Sequence, residues 1–514
     1  MSKIIPLQES LRRVIPEVFG CEDYRKEEEL MERIDRILSV SGLEDVFLEE
    51  CLKEKESREE QGKQRKASEA QDGASARQQK EKSTGWGASF LRNSRNALRC
   101  NILKHCLGLS FRELSKQLAM SPLYQWFCRL ENFERIEVPS KSTLQKYSVW
   151  LSAASMKKIL NKLTDALADK ERATEIGIEN ELDVSTAWVD STCLKANIHF
   201  PTDWVLLKDA AKTLLKSIAV IRKHGLVHRI GSVKDMARKI NTICMEITAA
   251  GRKKAGGKKE RKEKLRKLDR LSKIIELHGK RYRQLLDLEW SKTDLSRREA
   301  EVILRRMDNV LEQLPEARRQ ARERILGERQ VNNSEKILSL YERNLHVIVR
   351  RKAGAEVEFG SSLFVVENAQ GFIIDHELLK EDSPGDGAWL SNRVEELKEI
   401  TGGLLKAVVG DRGFATQAVS KKLAQENIID LLCPRNPKTL AEKLQKDEKF
   451  AEALNRRAQT EGRIGILKNM FLEGVPRSKG YANRSMQVAW AVLSHNLWVA
   501  ARMRWKQKEV AVAA

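Results

Sequence analysis

The chain has few cysteines, and they are not arranged for a metal site or a disulfide framework. Eight cysteines are scattered over 514 residues without a Cys-x-x-Cys pair, and Cys100 and Cys106 are the nearest neighbours. Structural zinc sites and disulfide-stapled folds use closely spaced cysteine pairs or regular frameworks. The sequence therefore predicts a reduced, cytoplasmic protein with neither a zinc site nor disulfides.

Long apolar runs are also missing. No stretch of about 18 uncharged apolar residues is present, so no membrane-spanning helix is expected. The sequence carries no lipidation motif. The first ten residues have no long apolar core followed by a cleavage site, which predicts that there is no secretory signal. We therefore expect no membrane association.

Acidic residues are fewer than basic residues. The chain has 94 Lys and Arg against 73 Asp and Glu, a formal net charge of +21. An excess of this size favours a polyanionic partner such as nucleic acid. The length predicts two to four domains, and a hydrophobic content of 41% is sufficient for a buried core.

The N-terminal part divides into helices and a polar stretch. Residues 1–54 form an N-terminal segment, in which residues 8–54 have the apolar spacing of two charged amphipathic helices. These helices either bind a partner or DNA end, or simply pack on the rest of the protein. Apolar residues almost vanish over 55–86, which predicts a solvated linker and a domain boundary.

A helical domain is expected over residues 87–175. Ser110 followed by Glu113 is typical of a capping box that starts a helix, and a second start lies near Ser140. Short capped helices with exposed basic residues suit a helix-turn-helix DNA reader. A small helical bundle without DNA contact fits the same pattern.

The segment 201–340 is almost wholly helical in pattern and contains the densest basic run, Arg252–Lys267. Most charge runs are solvated faces or loops. This one is so one-sided that it predicts contacts with DNA phosphates, which position a duplex without reading its sequence. The candidate contacts are Lys253, Lys254, Lys258, Lys259 and Arg261.

Strand patterns surround two aspartates. Asp190 ends the β-branched and aromatic run 186–190, and Asp411 ends the apolar run 404–410. Further strands are expected at 345–349, 362–367, 372–376 and 428–433, with a hairpin turn at 368–371. Helices are expected over 389–400, 416–426 and 451–471. Propensity alone indicates an α/β protein.

A third carboxylate, Glu461, lies in the last of these helices. At 100° per residue, Arg457, Glu461 and Lys468 fall on one side together with Ile464, while Arg456 and Arg463 fall on the other. An acid on an apolar side needs a metal or a cation beside it. The alternative for Glu461 is an ion pair with Arg457, four residues earlier.

Local structure offers simpler roles for the two aspartates. Asp411 lies in a turn-rich Gly-Asp-Arg-Gly sequence. Asp190, followed by Ser and Thr, is also suited to capping a helix.

Together these segments resemble the DDE class of transposases of bacterial insertion sequences. The resemblance rests on Val189-Asp190-Ser191-Thr192, on Gly410-Asp411-Arg412-Gly413-Phe414, and on Arg457, Glu461 and Lys468. A Tyr precedes the last three in the family, where this chain has Leu454. The motifs occur in the family's order over roughly residues 88–505.

The resemblance implies a fold. It implies an RNase H-like mixed sheet with flanking helices, formed by 180–200 and 341–475. A large helical insertion (201–340) would follow the first strand, and 476–514 would form a C-terminal helix. It also favours the helix-turn-helix interpretation of the helical domain that precedes Asp190, because the family carries a similar module there.

The resemblance also implies chemistry. Asp190, Asp411 and Glu461 would be the catalytic residues and the ligands of Mg²⁺, with Mn²⁺ as a substitute. Two such ions activate water and stabilise the leaving oxygen in phosphodiester cleavage. Arg457, Lys468 and Arg412 would contact DNA.

The expected function is that of a bacterial, nucleoid-associated transposase. It would bind terminal inverted repeats and perform strand cleavage and strand transfer on double-stranded DNA, as a dimer or larger assembly when two ends are bound. The alternatives are a transposase-derived DNA-binding protein without catalysis and an RNase H-like nuclease.

Overall fold

The computed structural model describes residues 18–71, 88–131, 135–352 and 355–506. The N-terminal half of the fold is helical. Its helices are α1 (Glu22–Val40), α2 (Leu43–Gln71), α3 (Ala88–Leu107), α4 (Phe111–Met120), α5 (Pro122–Phe127), α6 (Lys141–Tyr147), α7 (Ala153–Ala168) and α8 (Lys170–Ile176).

Of the two helices predicted over residues 8–54, the second is present as α1, whereas the first falls on residues 1–17, which lie outside the described part. Helix α2 continues to Gln71, so the first half of the predicted polar linker is helical. Glu, Lys, Gln and Arg dominate that stretch and are good helix formers. The lack of apolar residues was therefore evidence against burial of this stretch, but it was not evidence against a helix.

The predicted capping box is confirmed at the start of α4. The backbone N–H of Glu113 donates to Ser110 Oγ, and the backbone N–H of Ser110 donates to the Glu113 carboxylate. Ser140 likewise caps α6. The helix-turn-helix interpretation of these short helices stays a prediction.

A single mixed sheet follows, interrupted by a helical segment. The strands are β1 (Thr186–Lys195), β2 (His346–Lys352), β3 (Ala355–Glu367), β4 (Ile373–Leu378), β5 (Ala407–Gly410) and β6 (Ile429–Leu432). Between β1 and β2 lie α9 (Asp203–Lys223), α10 (Val233–Ala250), α11 (Gly257–Glu289) and α12 (Arg297–Ala321). After β4 come α13 (Asp386–Ile400), α14 (Gln417–Gln425), α15 (Pro437–Lys446), α16 (Glu448–Ile466) and α17 (Tyr481–Ala501).

Strand β1 lies at the centre of the sheet. It pairs antiparallel with β3 on one edge and parallel with β5 on the other, and β5 pairs parallel with β6. Strand β4 pairs antiparallel with β3 through the predicted hairpin at 368–371. The predicted strands and the α/β class are thus confirmed, with boundaries shifted by a few residues; β3 begins seven residues earlier than predicted.

The buried apolar residues form two large clusters. One unites the N-terminal helices, the sheet and α17, in which Trp490 is buried. The other lies within α9–α12. The segment between β1 and β2 therefore has a core of its own, as a segment inserted into a sheet requires. No helix among the described residues is both long and apolar enough to cross a membrane.

Candidate active site

Two aspartates lie side by side where the parallel pairing of β1 and β5 stops. Val189 of β1 is opposite Gly410, the last residue of β5, so Asp190 and Asp411 occupy the next position on each chain. Strand β1 itself does not end there, because Asp190 pairs with Val365 of β3 and β1 runs on to Lys195. The prediction that Asp190 ends a strand is therefore wrong, although it does mark the end of the parallel ladder.

A tight turn holds Asp411. Its Oδ1 accepts a hydrogen bond of 2.8 Å from the backbone N–H of Gly413. A Cβ at Gly413 would lie 2.6 Å from Oδ2 of Asp386 and 3.0 Å from Oδ1 of Asp411, so a larger residue there would require these carboxylates to move. Asp386, in the first turn of α13, is thus a fourth acid near the site. The sequence did not single it out, because acids are common in the first turn of a helix.

The guanidinium of Arg457 lies between the two aspartates. Its Nη2 is 3.7 Å from Oδ2 of Asp190 and 3.7 Å from Oδ2 of Asp411. Its Nε is buried and has no hydrogen-bond partner among the described residues. Both carboxylates therefore face one cationic centre, at distances longer than those of hydrogen-bonded ion pairs.

Asp190 is the more buried of the two acids. Its side chain is 12% exposed, whereas the Asp411 side chain is 39% exposed. Burial raises the pKa of Asp190 to about 6, and the nearby carboxylates of Asp411 and Glu461 act in the same direction. Arg457 and the backbone N–H of Ser191 oppose that rise. The site is therefore one where a cation is electrostatically favoured.

Helix α16 presents a different face to the sheet than the sequence predicted. Glu461 is exposed, while Thr460, Ile464 and Leu467 are buried. Arg456, predicted on the opposite, solvent side, faces the sheet. The helical periodicity placed Ile464 correctly and Glu461 wrongly, so the argument that Glu461 sits on an apolar side fails.

Arg456 faces the sheet because a buried acid meets it there. Glu367, at the end of β3, is 1% exposed; it lies 3.0 Å from Nη1 of Arg456 and accepts a 2.7 Å hydrogen bond from Thr460 Oγ1. Arg463 is 4.0 Å away on the same side. Local periodicity treats arginine as a surface residue, and it gave no signal for this partner 89 residues away.

Lys468 contacts β1 rather than open solvent. Its Nζ donates to the backbone carbonyl of Cys193 at 2.8 Å and is 3.2 Å from Thr192 Oγ1. It lies in the π-helical turn Leu467–Phe471 that follows α16. In this arrangement the ammonium group fastens the end of α16 to the strand that carries Asp190.

The remaining predicted DNA contacts are spread over two regions. Arg412 is exposed in the turn after Asp411, and its carbonyl accepts a hydrogen bond from Arg435. The basic run lies in α9–α12, at the turn before α11 and in its first turns. There Lys253, Lys254, Lys258 and Lys259 are exposed, and Lys253 pairs with Glu260. Arg261 is partly buried, with its guanidinium 4.7 Å from the Trp204 ring.

The donor chemistry of Asp190, Asp411 and Glu461 fits a hard divalent cation, because Mg²⁺ takes carboxylate oxygens. The two aspartates already face a common cationic atom. Across the residues that the structure describes, however, no three His, Cys, Asp or Glu side chains are grouped so that they could hold a metal ion. Arg457 takes the position between the aspartates, and Glu461 lies at the exposed edge.

Comparison with known proteins identifies a family-model match. Residues 78–148 match the family model of a transposase domain (DUF772). The described part of that match contains α3 to α6, including the capping box, and residues 78–87 and 132–134 lie outside it. No curated protein and no solved structure matches the chain. The match lies within the helical region before β1 and supports a transposase.

Proposed function

We propose that this chain is an insertion-sequence transposase of the DDE class. It would bind terminal inverted repeats and carry out metal-dependent strand cleavage and strand transfer. One observation carries the proposal: Asp190 and Asp411 occupy adjacent positions beyond the parallel β1–β5 ladder and converge on Arg457, with Glu461 close enough to raise the pKa of Asp190.

The topology supports the same proposal. The strands β4, β3, β1, β5 and β6 succeed one another across the sheet, with only β1, β5 and β6 parallel. The four helices α9–α12 interrupt the chain after β1 and have their own apolar core. An RNase H-like sheet with a helical insertion after its first strand is expected to have this order.

The chain's own residues supply rigid placement and charge. Asp190 is fixed by β3 on one side, and Asp411 by its turn at Gly413. These two and Glu461 would hold the divalent cation, which supplies an activated water and stabilises the leaving oxygen when bound. Arg457 offers a buried Nε without a partner among the described residues and an Nη2 that lies 3.7 Å from each aspartate, and a guanidinium of this kind suits a phosphate oxygen.

Direct phosphoryl transfer needs no covalent link between protein and DNA, so no Ser, Tyr or Cys nucleophile is required. The formal charge of +21 suits double-stranded DNA as the partner. Two ends must be held together for strand transfer, so at least a dimer is expected on DNA.

The test is cleavage of linear duplex carrying the element's own ends, in Mg²⁺ and in EDTA. We expect nicking at the ends in Mg²⁺ for the wild type, and its loss in Glu461→Gln. Glu452→Gln is the matched control, because Glu452 is also exposed and lies on the same helix. Joining of the cut ends to a second duplex distinguishes a transposase from a nuclease.

Arg457 between the two aspartates favours one rival function. A guanidinium in that position compensates both carboxylates without a metal, as in a transposase-derived protein that binds DNA but does not cut it. End-specific binding without cleavage in Mg²⁺ or Mn²⁺ would favour that rival and overturn the catalytic proposal.

A further inference from the structure

A large cationic cavity lies at the base of the segment α9–α12. Its volume is about 740 Å³, within the size range of typical ligand pockets. Four stretches line it: the start of α9, the start of α11, the π-helical turn Arg322–Leu326 after α12, and the loop that follows. The charged lining residues are Lys258, Arg261, Lys262, Arg324, Arg329 and Lys336, with Asp203 and Glu328 as the acids.

The two acids are already satisfied within the cavity wall. Asp203 is buried, and one of its oxygens accepts from Gln320 at 2.8 Å and from Arg324 at 2.9 Å. Glu328 pairs with Lys262 at 2.9 Å. Their negative charges therefore offset only two of the six cations.

The other four cations lack a carboxylate partner in the part of the chain that the structure describes. Lys258, Arg261, Arg329 and Lys336 form no ion pair within 4.0 Å with any carboxylate that the structure describes. Burial and the nearby Arg324 lower the pKa of Lys336, the response expected of a lysine in a region of positive potential. Packing alone gives no reason to gather these cations around an open space, since like charges repel.

The helix that frames the cavity adds to this potential. Helix α11 is 33 residues long, and its N-cap is Gly256, which makes no side-chain capping bond. The free N–H groups of its first turn carry partial positive charge and suit an anion. Arg261, one turn in, is held over the Trp204 ring, and its Nε is buried without a partner among the described residues.

We propose that this cavity binds phosphate, and that the backbone of double-stranded DNA presents it. DNA is favoured over a free phosphate compound because exposed Lys254, in the turn before α11, and exposed Lys259, in its first turn, continue the positive surface beside the cavity. A small ligand would need no such extension, whereas successive phosphates of a strand would use it. This inference rests on the proposed function, which makes DNA the substrate.

The cavity lies close in the chain to the strand that carries Asp190. Asp203, in its wall, begins α9 only eight residues after the end of β1, the strand that carries Asp190. A duplex anchored there is held by the same part of the chain that connects to the aspartates. The cavity would therefore position DNA without reading its sequence.

The experiment compares two double variants that remove the same charge. The cavity variant combines Arg329→Ala with Lys336→Ala and so removes two of the lining cations that lack a carboxylate partner among the described residues. Lys239→Ala with Lys273→Ala removes two exposed cations from α10 and α11 outside the basic run. Affinity for a fluorescent duplex carrying the element's ends is measured by anisotropy in EDTA at several salt concentrations, so that cleavage does not contribute.

We expect the cavity variant to bind DNA roughly tenfold more weakly near physiological salt, with a salt dependence reduced by about two phosphate contacts. The control variant should lose clearly less. Unchanged melting temperatures for both variants ensure that the loss is not unfolding. Equal weakening in the two variants, or none in either, would overturn the proposal.

A second arm identifies the source of the phosphate. Thermal stabilisation of the wild type by inorganic pyrophosphate, absent in the cavity variant, together with unchanged DNA affinity would overturn DNA as the source and keep the phosphate chemistry. A wild type that binds no duplex at any salt concentration would instead overturn the proposed function itself.

Discussion

Two neighbouring residues of α16, Arg456 and Arg457, contact different acids in very different ways. Arg456 meets the buried Glu367 at 3.0 Å, and Thr460 completes the coordination of that carboxylate at 2.7 Å. Arg457 reaches Asp190 and Asp411 only at 3.7 Å. In the tight cluster, formed by Glu367, Arg456 and Thr460, the carboxylate is buried and closely bonded. In the loose cluster, formed by Asp190, Asp411 and Arg457, the distances are longer and Asp411 is partly exposed to solvent.

The difference separates a structural role from a functional one. A buried carboxylate that lacks a tight partner costs several kcal/mol, so Glu367 must be satisfied for α16 to dock. Asp411 is partly exposed, and the Nε of Arg457 is left without a partner. Groups that are not satisfied within the protein are available to a ligand.

The largest expected effect breaks the loose cluster. Asp411→Asn keeps the shape of the side chain and the acceptor for the Gly413 N–H but removes the charge. We expect end cleavage to fall on the order of a thousandfold, because the change removes several kcal/mol of charge stabilisation. Single-turnover cleavage measures it, with DNA affinity as a parallel readout.

Asp382→Asn, at an exposed acid in the loop after β4, is the control for that change. The stability of Asp411→Asn should stay within about 1 kcal/mol of the wild type. Retained cleavage with normal folding would show that the loose cluster is not the active site.

The next largest effect breaks the tight cluster. Glu367→Ala leaves Arg456 buried beside a lost partner, so we expect the free energy of unfolding to fall by about 3 kcal/mol. Urea denaturation measures the change. Glu461→Ala, at an exposed position on the same helix, should change it by less than about 0.5 kcal/mol. Equal effects from the two changes would contradict the structural role of Glu367.

A smaller change sharpens the same comparison. Thr460→Val keeps the volume of the side chain. It removes the hydrogen bond that Thr460 donates to Glu367 and the 3.3 Å bond that it accepts from Arg456, while the ion pair between Arg456 and Glu367 remains. We expect a loss of about 1–2 kcal/mol in unfolding free energy, with DNA cleavage unaffected. Gln459→Ala, one residue earlier and exposed, is the control. A loss of cleavage without a loss of stability would place Thr460 in the functional cluster instead.

The last effect concerns pH and the π-helical turn that follows α16. Just beyond α16, the carbonyl of Phe471 accepts a 2.7 Å hydrogen bond from the buried His105 ring. Burial, aided by Lys104, lowers the pKa of His105 to about 3 from its usual 6.5. Below pH 6.5 the unfolded chain takes up a proton on this ring and the folded chain does not, so stability is lost as the pH falls.

The pH dependence of stability tests this contact. We expect the stability advantage of the wild type over His105→Gln to shrink as the pH is lowered from about 7.5 to about 5. The exposed His199→Gln should show no such trend. Melting temperatures across that range measure it, and a constant difference between wild type and His105→Gln would contradict the assignment.

Much of the fold could be predicted from the sequence. The strands around Asp190 and Asp411, the hairpin at 368–371 and the capping box at Ser110 depend on local patterns that the tertiary structure keeps. The helical extension of α2 was missed because a polar composition does not exclude helix. The strand end at Asp190 was misplaced because β3 continues to pair with β1 after β5 has stopped.

Only part of the candidate site could be predicted from the sequence. The sequence by itself determined that three carboxylates follow or lie within regular elements, that the chain is strongly basic, and that Arg252–Lys267 is one-sided. These are properties of composition and short-range spacing, which hold however the chain packs.

Only the tertiary structure decided which neighbours those residues meet. It placed Arg456 against Glu367 and left Glu461 exposed, brought Asp386 beside Asp411, and joined Lys258, Arg329 and Lys336 around one cavity. Periodicity records which face of a helix is apolar on average. It does not record the charge of a partner that lies tens of residues away in the chain, and that partner decides whether a charged side chain is buried or exposed.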